Sequence, residues 1–557
     1  MNARATAVPN THPPARMHLF VAFLTVLIGA LCGLLQAFVR AGWIVLPNWL
    51  SYYAVLTVHG VLLALVSTTY FIFAYLLAGN GATLGDLSRG QKRLVVAGFW
   101  IMNVGVVLAA AMILSGNASV LYTFYLPLQA HPLFYIGLAL FVVGTWAVSA
   151  GLLAQYFAWK KAHPNARTPL FAFLSTVTLF LWWIASLGVA ATVLFQMIPL
   201  SLGWVRGVNV ELSRTLFWYF GHPLVYFWLL PTYMVWYVNL PKLIGGKLFS
   251  DTLARFAFLL FLVFSFPVGV HHQLTEPGIQ DGWKFLHVIL TFMVAVPSLM
   301  TAFNVFASFE LTALEKGQRG PFGWMRSLPW SDVRFLAPFI GMLFFIPGGI
   351  GGLINASYQM NAMVHNTLFV VGHFHITVGT PVMLTFFGLS YWLIPHLTGR
   401  TLTPWAMRLG LVQTAFWASG MLLMSTAQHA LGLMGAPRRT DFTTYQNHPA
   451  AERWFDTPIA NYATMAIGGA LLFVGAMLMI GLAVYLAFFA PKNAANPDTR
   501  TAFPLADAAD PHPQPAFLEN WRLWLTLTAV LIFIAYTIPL IDIASHGAPL
   551  VRGLRTW

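Results

Sequence analysis

The chain has 557 residues, of which 58% are hydrophobic and only 8% charged, with a mean hydropathy of +0.72. Soluble domains carry about a quarter charged residues, so this composition excludes a water-soluble globule and indicates a polytopic all-α membrane protein. The net charge of +13 does not indicate nucleic-acid binding, because Lys and Arg occur in ones, twos and threes beside apolar segments, as topology signals do.

Apolar runs long enough to cross ~30 Å of hydrocarbon predict thirteen helices, at 17–39, 52–78, 94–115, 132–157, 170–198, 212–240, 253–273, 284–309, 332–355, 365–395, 406–433, 463–490 and 521–543. Residues 1–16, with Arg4 and Arg16, read as a cytoplasmic tail. The run that follows is too long for a signal-peptide core and is taken as a span. Cys32 lies in it; as the single cysteine it forms no intrachain disulfide or two-cysteine metal site, and it reads as a small core residue. With the N-terminus in the cytoplasm, the inner segments carry 20 of the 29 Lys and Arg and the outer ones the remaining 9. The positive-inside rule therefore sets the N-terminus inside. The Ala-, Asp- and Pro-rich stretch 491–519 is then a cytoplasmic linker. The absence of repeats leaves one polytopic membrane domain over residues 1–557.

Ionisable side chains inside a membrane are expensive and mark functional sites. Six histidines in four helices stand out: His59, His222, the pair His271 and His272, and the pair His373 and His375. The predicted topology puts all six in the outer half of the bilayer, roughly 12–16 Å deep on the helices that enter from outside. Independent core histidines have no reason to share a level.

His373 and His375 are two residues apart, about 200° of helical rotation, so their imidazoles point to opposite sides and serve two cofactors flanking one helix. One pairs with His59 to make a six-coordinate haem, and the other leaves an open sixth position. His271 and His272, next to Glu276-Pro277-Gly278, complete a three-imidazole site with His222, and such donors fit copper, iron or zinc. Tyr226, four residues after His222, shares its helical face.

At these residues the sequence resembles subunit I of the haem–copper oxidases, specifically the B-type, ba-three class of cytochrome c oxidase. The resemblance runs across all the helices through His59-Gly60, Trp218-Tyr219-Phe220-Gly221-His222-Pro223, His271-His272-Gln273-Leu274 and Gly372-His373-Phe374-His375. It implies that His59 and His375 are axial ligands of a low-spin haem, of the b type. It further implies that His373 holds a high-spin haem of the a or the b/o type, and that His222, His271 and His272 hold one copper ion. Tyr226 corresponds to the tyrosine bonded covalently to the first copper histidine, which supplies an electron and a proton when the O–O bond breaks. Trp218 belongs to the cofactor-facing motif, and Arg438-Arg439 resembles the pair that neutralises haem propionates. Asn361 stands where related sequences can carry an aspartate near those propionates, and His365 remains beside it. Leu224 replaces the glutamate that ends a second proton channel in A-type oxidases, which favours the single-channel B-type.

The resemblance implies a bacterial inner-membrane enzyme that reduces dioxygen to water and translocates protons. Its partners are a subunit II carrying an electron-accepting copper site, cytochrome c as donor, membrane lipid and a small single-helix subunit. The competing readings are a nitric oxide reductase, a quinol-oxidising variant and a non-catalytic haem-binding transporter; the first prefers a glutamate near His222, which is absent. For protons, Tyr226, Tyr233 and Tyr237 fall within about 20° of one helical stripe. Ser298, Thr301 and Asn304 follow at three-residue steps on another helix, and Ser250 lies where a third begins. Hydroxyls donate and accept, so with bridging water they relay protons without a carboxylate. The family's single proton channel matches these positions, with Asn304 departing from a frequent threonine.

Overall fold

A backbone in hydrocarbon must satisfy its own polar groups, and each expected span coincides with a helical segment in the computed structural model. The structure describes residues 9–441, 448–456, 461–492, 504–510, 515–546 and 550–556, so parts of the expected tail and linker lie outside the described residues. In chain order the helices are α1 His12–Arg40, α2 Tyr52–Leu84, α3 Arg89–Leu114, α4 Pro132–Ala162, α5 Leu170–Ser201, α6 210–243, α7 Asp251–Phe264, α8 Asp281–Glu315, α9 Val333–Ala356, α10 Leu368–Thr398, α11 Pro404–Leu433, α12 Tyr462–Phe489 and α13 Trp521–His546. Ten of them are long and apolar enough to cross a bilayer on their own composition. The other three are α6, which contains Pro223 and Pro231, α7, which has 14 residues, and α11, which carries Gln413, Ser425, Gln428 and His429.

Several boundaries shift by a few residues, and two of the shifts have clear local reasons. Helix α1 begins at His12, five residues before the expected start, because prolines suit a first helical turn. Helix α7 was expected to run to 273 but stops at Phe264, where Phe266-Pro267 follows; the residue before a proline is steered out of the helical region. Residues Gly269–Gln273 form a separate 3₁₀ turn, and it is this turn that carries His271 and His272.

The centre of the bundle is set by burial. Protein covers 89% of the most apolar stretch of α2 and 67% of that of α10, against 33% for α3 and 28% for α13. Helices α2 and α10, which carry His59, His373 and His375, are thus central. Lipid gives no hydrophobic drive for helix pairing, so close backbone contact does the work. Between α3 and α4 a Cβ on Gly105 would lie 2.4 Å from the Gly137 carbonyl, and one on Gly137 would lie 2.7 Å from the Gly105 carbonyl. A π turn at 61–67 follows His59, and another at 235–239 carries Tyr237. Such turns rotate the side chains beyond them and often sit at functional sites.

Gly105→Ala should therefore push α3 from α4 at a cost of about 1–3 kcal/mol, read as a lower Tm of the purified protein. Gly90→Ala, where a Cβ meets nothing within 4 Å, is the control. Equal melting of the two variants would mean that the contact does not hold this pair.

Candidate metal and cofactor site

His222 projects from α6 toward the 269–273 turn, and one nitrogen from each of His222, His271 and His272 lies within 4.8 Å of the others. His222 Nδ1 is 3.2 Å from His272 Nε2, and the His222 and His271 ring centroids are 4.4 Å apart. The outward nitrogens are committed elsewhere. His222 Nε2 sits 3.0 Å from the Tyr226 hydroxyl. His271 Nδ1 is 2.9 Å from Thr291 Oγ1, whose own hydroxyl donates to the His287 carbonyl, so Thr291 accepts the imidazole N–H. His272 stacks on Trp218, centroid to centroid 3.9 Å and 8° from parallel. Three imidazoles, those of His222 and His271 buried and that of His272 half-buried, converge with no carboxylate among them, a donor set for copper, iron or zinc.

His59 on α2 and His375 on α10 face each other with ring centroids 6.3 Å apart and planes tilted by 35°. His59 Nδ1 lies 2.9 Å from the Gly29 carbonyl and His375 Nδ1 lies 2.9 Å from that of Val371. A carbonyl only accepts, so Nδ1 carries the proton and Nε2 is left for a ligand. The spacing leaves room for one ion at about 2 Å from each imidazole nitrogen. The surrounding cavity is lined by apolar groups such as Leu63, Met383, Met421 and Met424. Gly33 is required beside it: a Cβ there would come within 2.8 Å of the His59 ring.

His373 turns the other way. Its Nδ1 is 3.0 Å from the Gly348 carbonyl and 3.1 Å from Thr377 Oγ1, and its ring packs on Gly351 and Gly352 of α9. It faces electrostatically onto His222 and His271, whereas His375 faces His59. One helix thus serves two separate centres.

Beside these centres lies a basic rim. Arg438 donates to Asn366 Oδ1 at 2.8 and 3.1 Å, and Arg439, in a left-handed conformation at φ 62°, donates to Tyr125 and Tyr122 at 3.2 and 3.3 Å. Burial raises the Tyr125 pKa, but Arg439, Arg438 and Arg214 outweigh it and bring the phenol down to about 7. Burial, then Arg438, Arg214 and Arg439, push His365 down to about 4, so its imidazole is neutral. His365 Nδ1 lies 3.0 Å from Asn361 Oδ1. Arg439 Nε and Trp218 Nε1 are buried with no protein partner, which suits an acceptor-bearing group such as a porphyrin with its carboxylates.

On the far side of the trio, the Tyr237 hydroxyl donates to Thr301 Oγ1 at 2.6 Å. Tyr233 lies beside Ser298, its hydroxyl without a partner at hydrogen-bond distance. Asn304 holds the backbone of Ser250 at both ends, accepting its N–H at 2.9 Å and donating to its carbonyl at 2.8 Å. Both ends of that amide clamp α7 to α8 rather than filling a gap between hydroxyls.

Thr291, Thr377, Gly33, Tyr122 and Tyr125 were not singled out from the sequence; single Thr, Gly and Tyr residues carry no signal until the fold supplies their neighbours. Nor were His18, His287 and His429, which also lie in helices. His287 engages both ring nitrogens, with the Ala535 carbonyl at 3.1 Å and the Val270 N–H at 3.4 Å, and so has none to offer a metal.

A helix that turns one histidine to a facing imidazole and another to a three-imidazole cluster can hold two iron porphyrins, with a second metal beside one of them. That is the design of the haem–copper oxidases. The family model for cytochrome c and quinol oxidase polypeptide I matches residues 14–456, and the chain belongs to that family. It is 40% identical to cytochrome c oxidase subunit 1 of Thermus thermophilus over 97% of this chain and 96% of the relative. It is 26% identical to cytochrome c oxidase subunit 1 of Alkalihalophilus pseudofirmus over 83% of this chain and 71% of the relative. A haem–copper terminal oxidase dimer solved by cryo-EM superposes with a TM-score of 0.90 at 36% identity, covering 98% of this chain and 95% of that one. Haem and copper are the cofactors of this family, and its subunit I works with partner subunits.

Thr291→Val removes the acceptor that orients His271. Metal affinity at the trio should fall about 10- to 100-fold, read as metal retained against a chelator. Retention equal to the parent protein would remove Thr291 from the site.

Proposed function

We propose that the chain is the catalytic subunit of a B-type, proton-translocating cytochrome c oxidase in a bacterial inner membrane, with its N-terminus in the cytoplasm and one membrane domain spanning residues 1–557. The observation that carries the reading is the Tyr226 hydroxyl 3.0 Å from a nitrogen of the trio, in a helix where Leu224 takes the place of an acid. When bound, two haems and one copper ion supply electron transfer and the four-electron reduction of dioxygen to water.

His59 and His375 would hold the low-spin haem, of the b type, which would supply electron transfer, and their carbonyl-bonded Nδ1 groups orient the two imidazoles. His373 would hold the high-spin haem, of the a or the b/o type, which would supply the site of oxygen chemistry. His222, His271 and His272 hold copper. Tyr226, itself buried and beside His222, would supply a proton and a reducing equivalent at the trio. Arg438 and Arg439, with His365, Asn361 and Trp218, hold the haem periphery. Ser250, Ser298, Tyr237 and Thr301 line the proton path toward Tyr233 and Tyr226, with Asn304 beside them holding Ser250. Cys32 is the single cysteine, so electrons from cytochrome c enter through a copper-bearing subunit II; a small single-helix subunit and lipid complete the assembly.

Replacing His59 or His375 with Ala should abolish the low-spin haem spectrum and leave carbon monoxide binding, whereas His373→Ala should abolish carbon monoxide binding. Loss of both signals in each variant, from protein that still assembles, would contradict the division of the two centres. Tyr226→Phe should keep both haems and copper and lower oxygen reduction by roughly 10²-fold or more. Near-normal turnover of that variant would leave the tyrosine a packing residue and defeat the proposed chemistry.

A further inference from the structure

We propose that Asp510 is the chain's own proton-collecting carboxylate at the mouth of the Tyr237–Thr301 route, passing protons inward through Ser250. This rests on the route assigned above and goes beyond it, since neither the sequence pattern nor the tyrosine stripe identifies where protons enter.

Residues 504–510 are laid across the ends of α6 and α7 by main-chain bonds. Ala506 N–H donates to the Val238 carbonyl at 2.9 Å, Leu248 N–H to that of Asp507 at 2.8 Å, and Ala509 N–H to that of Leu248 at 2.7 Å. The Asn239 amide donates to the Pro504 carbonyl at 2.8 Å. The strap is therefore fastened to the π turn that carries Tyr237 and to the segment that leads into α7. It delivers Asp510, partly exposed, to a fixed place. There Oδ2 accepts from the Ser250 hydroxyl at 2.9 Å, the Thr252 hydroxyl at 3.1 Å and the Thr252 N–H at 3.2 Å, while Oδ1 accepts from the Asp251 N–H at 3.2 Å. Ser250 is clamped in turn by Asn304, one helical step from Thr301, which accepts from the fully buried Tyr237. Hydrogen bonds thus tie the partly exposed carboxylate to Ser250 and, through the Ser250 backbone, to Asn304, which lies one helical step from the Thr301–Tyr237 pair; water bridges the remaining gap in the proposed route.

The plainer role for Asp510 is a cap on α7. That helix already has one: Ser250 Oγ accepts from the Leu253 N–H at 3.1 Å. Two neighbouring acids are bound to cations. Asp251 pairs with Arg255 and Arg167, and Glu519 pairs with Lys160 at 2.7 Å and Arg255 at 3.4 Å. Among the described residues Asp510 is met instead by hydroxyls and N–H groups. Burial raises its pKa and the four hydrogen bonds lower it further, so it stands ionised and ready to accept. In the step itself a hydronium ion in bulk water loses a proton and an O–H bond forms on Asp510. That bond breaks as the proton passes to Ser250 Oγ, which releases its own proton inward through bridging water. No electrons move.

The test uses the assembled oxidase. Asp510→Asn should leave the haem spectra intact and slow steady-state oxygen consumption by about 10- to 100-fold, and Asp510→Glu should retain most of the activity. Acetate in the medium, a diffusible carboxylate, should restore turnover to Asp510→Asn and leave Tyr237→Phe slow. If Tyr237→Phe is slow while Asp510→Asn runs at the parent rate, Asp510 has no part in uptake and the route stands. If Asp510→Asn is slow, unrescued by acetate and altered in its spectra, the residue is a structural cap and the proposal fails. If neither variant slows turnover, the route fails and Asp510 with it.

Discussion

An imidazole buried in a helical bundle has two ring nitrogens and, when neutral, one proton between them; a nitrogen left without a partner costs about 1–3 kcal/mol. The protein meets this constraint in the same way four times. His59, His375, His373 and His271 each give Nδ1 to an acceptor, respectively Gly29, Val371, Gly348 and Thr291, which turns Nε2 away from that acceptor, as the proposed ligation requires. His222 is reversed, with Nε2 toward Tyr226 and Nδ1 toward the cluster. Much of the local design follows from that need. Gly33, Gly351 and Gly352 stand where the rings require space, and Tyr226 falls at the i+4 position that reaches the reversed nitrogen.

Charge is arranged on the same principle. The bundle interior holds neutral imidazoles and phenols, and formal charges gather at its ends, where they pair or meet a rim. At one end Arg255, only 1% exposed, is enclosed by Asp251, Glu519 and the Thr168 carbonyl, which compensates a cost of burial that no lone guanidinium could bear. At the other, Arg438, Arg439 and Arg214 form a positive field over Tyr125 and His365, and Arg214 is bound to Glu276 at 2.5 Å. The field keeps His365 neutral and suits the carboxylates of a bound porphyrin.

The sequence made the solvent, the helices and the six histidines legible, because hydropathy over twenty residues and the rarity of ionisable groups in apolar runs are strong local signals. The opposed directions of His373 and His375 were readable from helical geometry, and each faces a different partner in the structure. The early end of α7 at Phe264 was not foreseen, since apolarity continues past the break and the restriction comes from Pro267 alone. The orienting groups were also invisible: Thr291 lies 20 residues from His271, Gly29 lies 30 from His59, and Tyr125 lies 314 from Arg439. Asn304 stands in the sequence only as a departure from a frequent threonine, and its grip on Ser250 emerges from the fold. These contacts exist through tertiary placement, which neither periodicity nor composition encodes.

Six imidazoles inside one helical bundle are proposed to hold two haems and one copper ion in a single chain. The most direct measurement is haem extraction with metal analysis of the purified protein, alongside an oxidised-minus-reduced spectrum. The account predicts two haems and one copper per chain, with one six-coordinate and one ligand-binding haem signal. A single haem, or non-haem iron in place of copper, would contradict it.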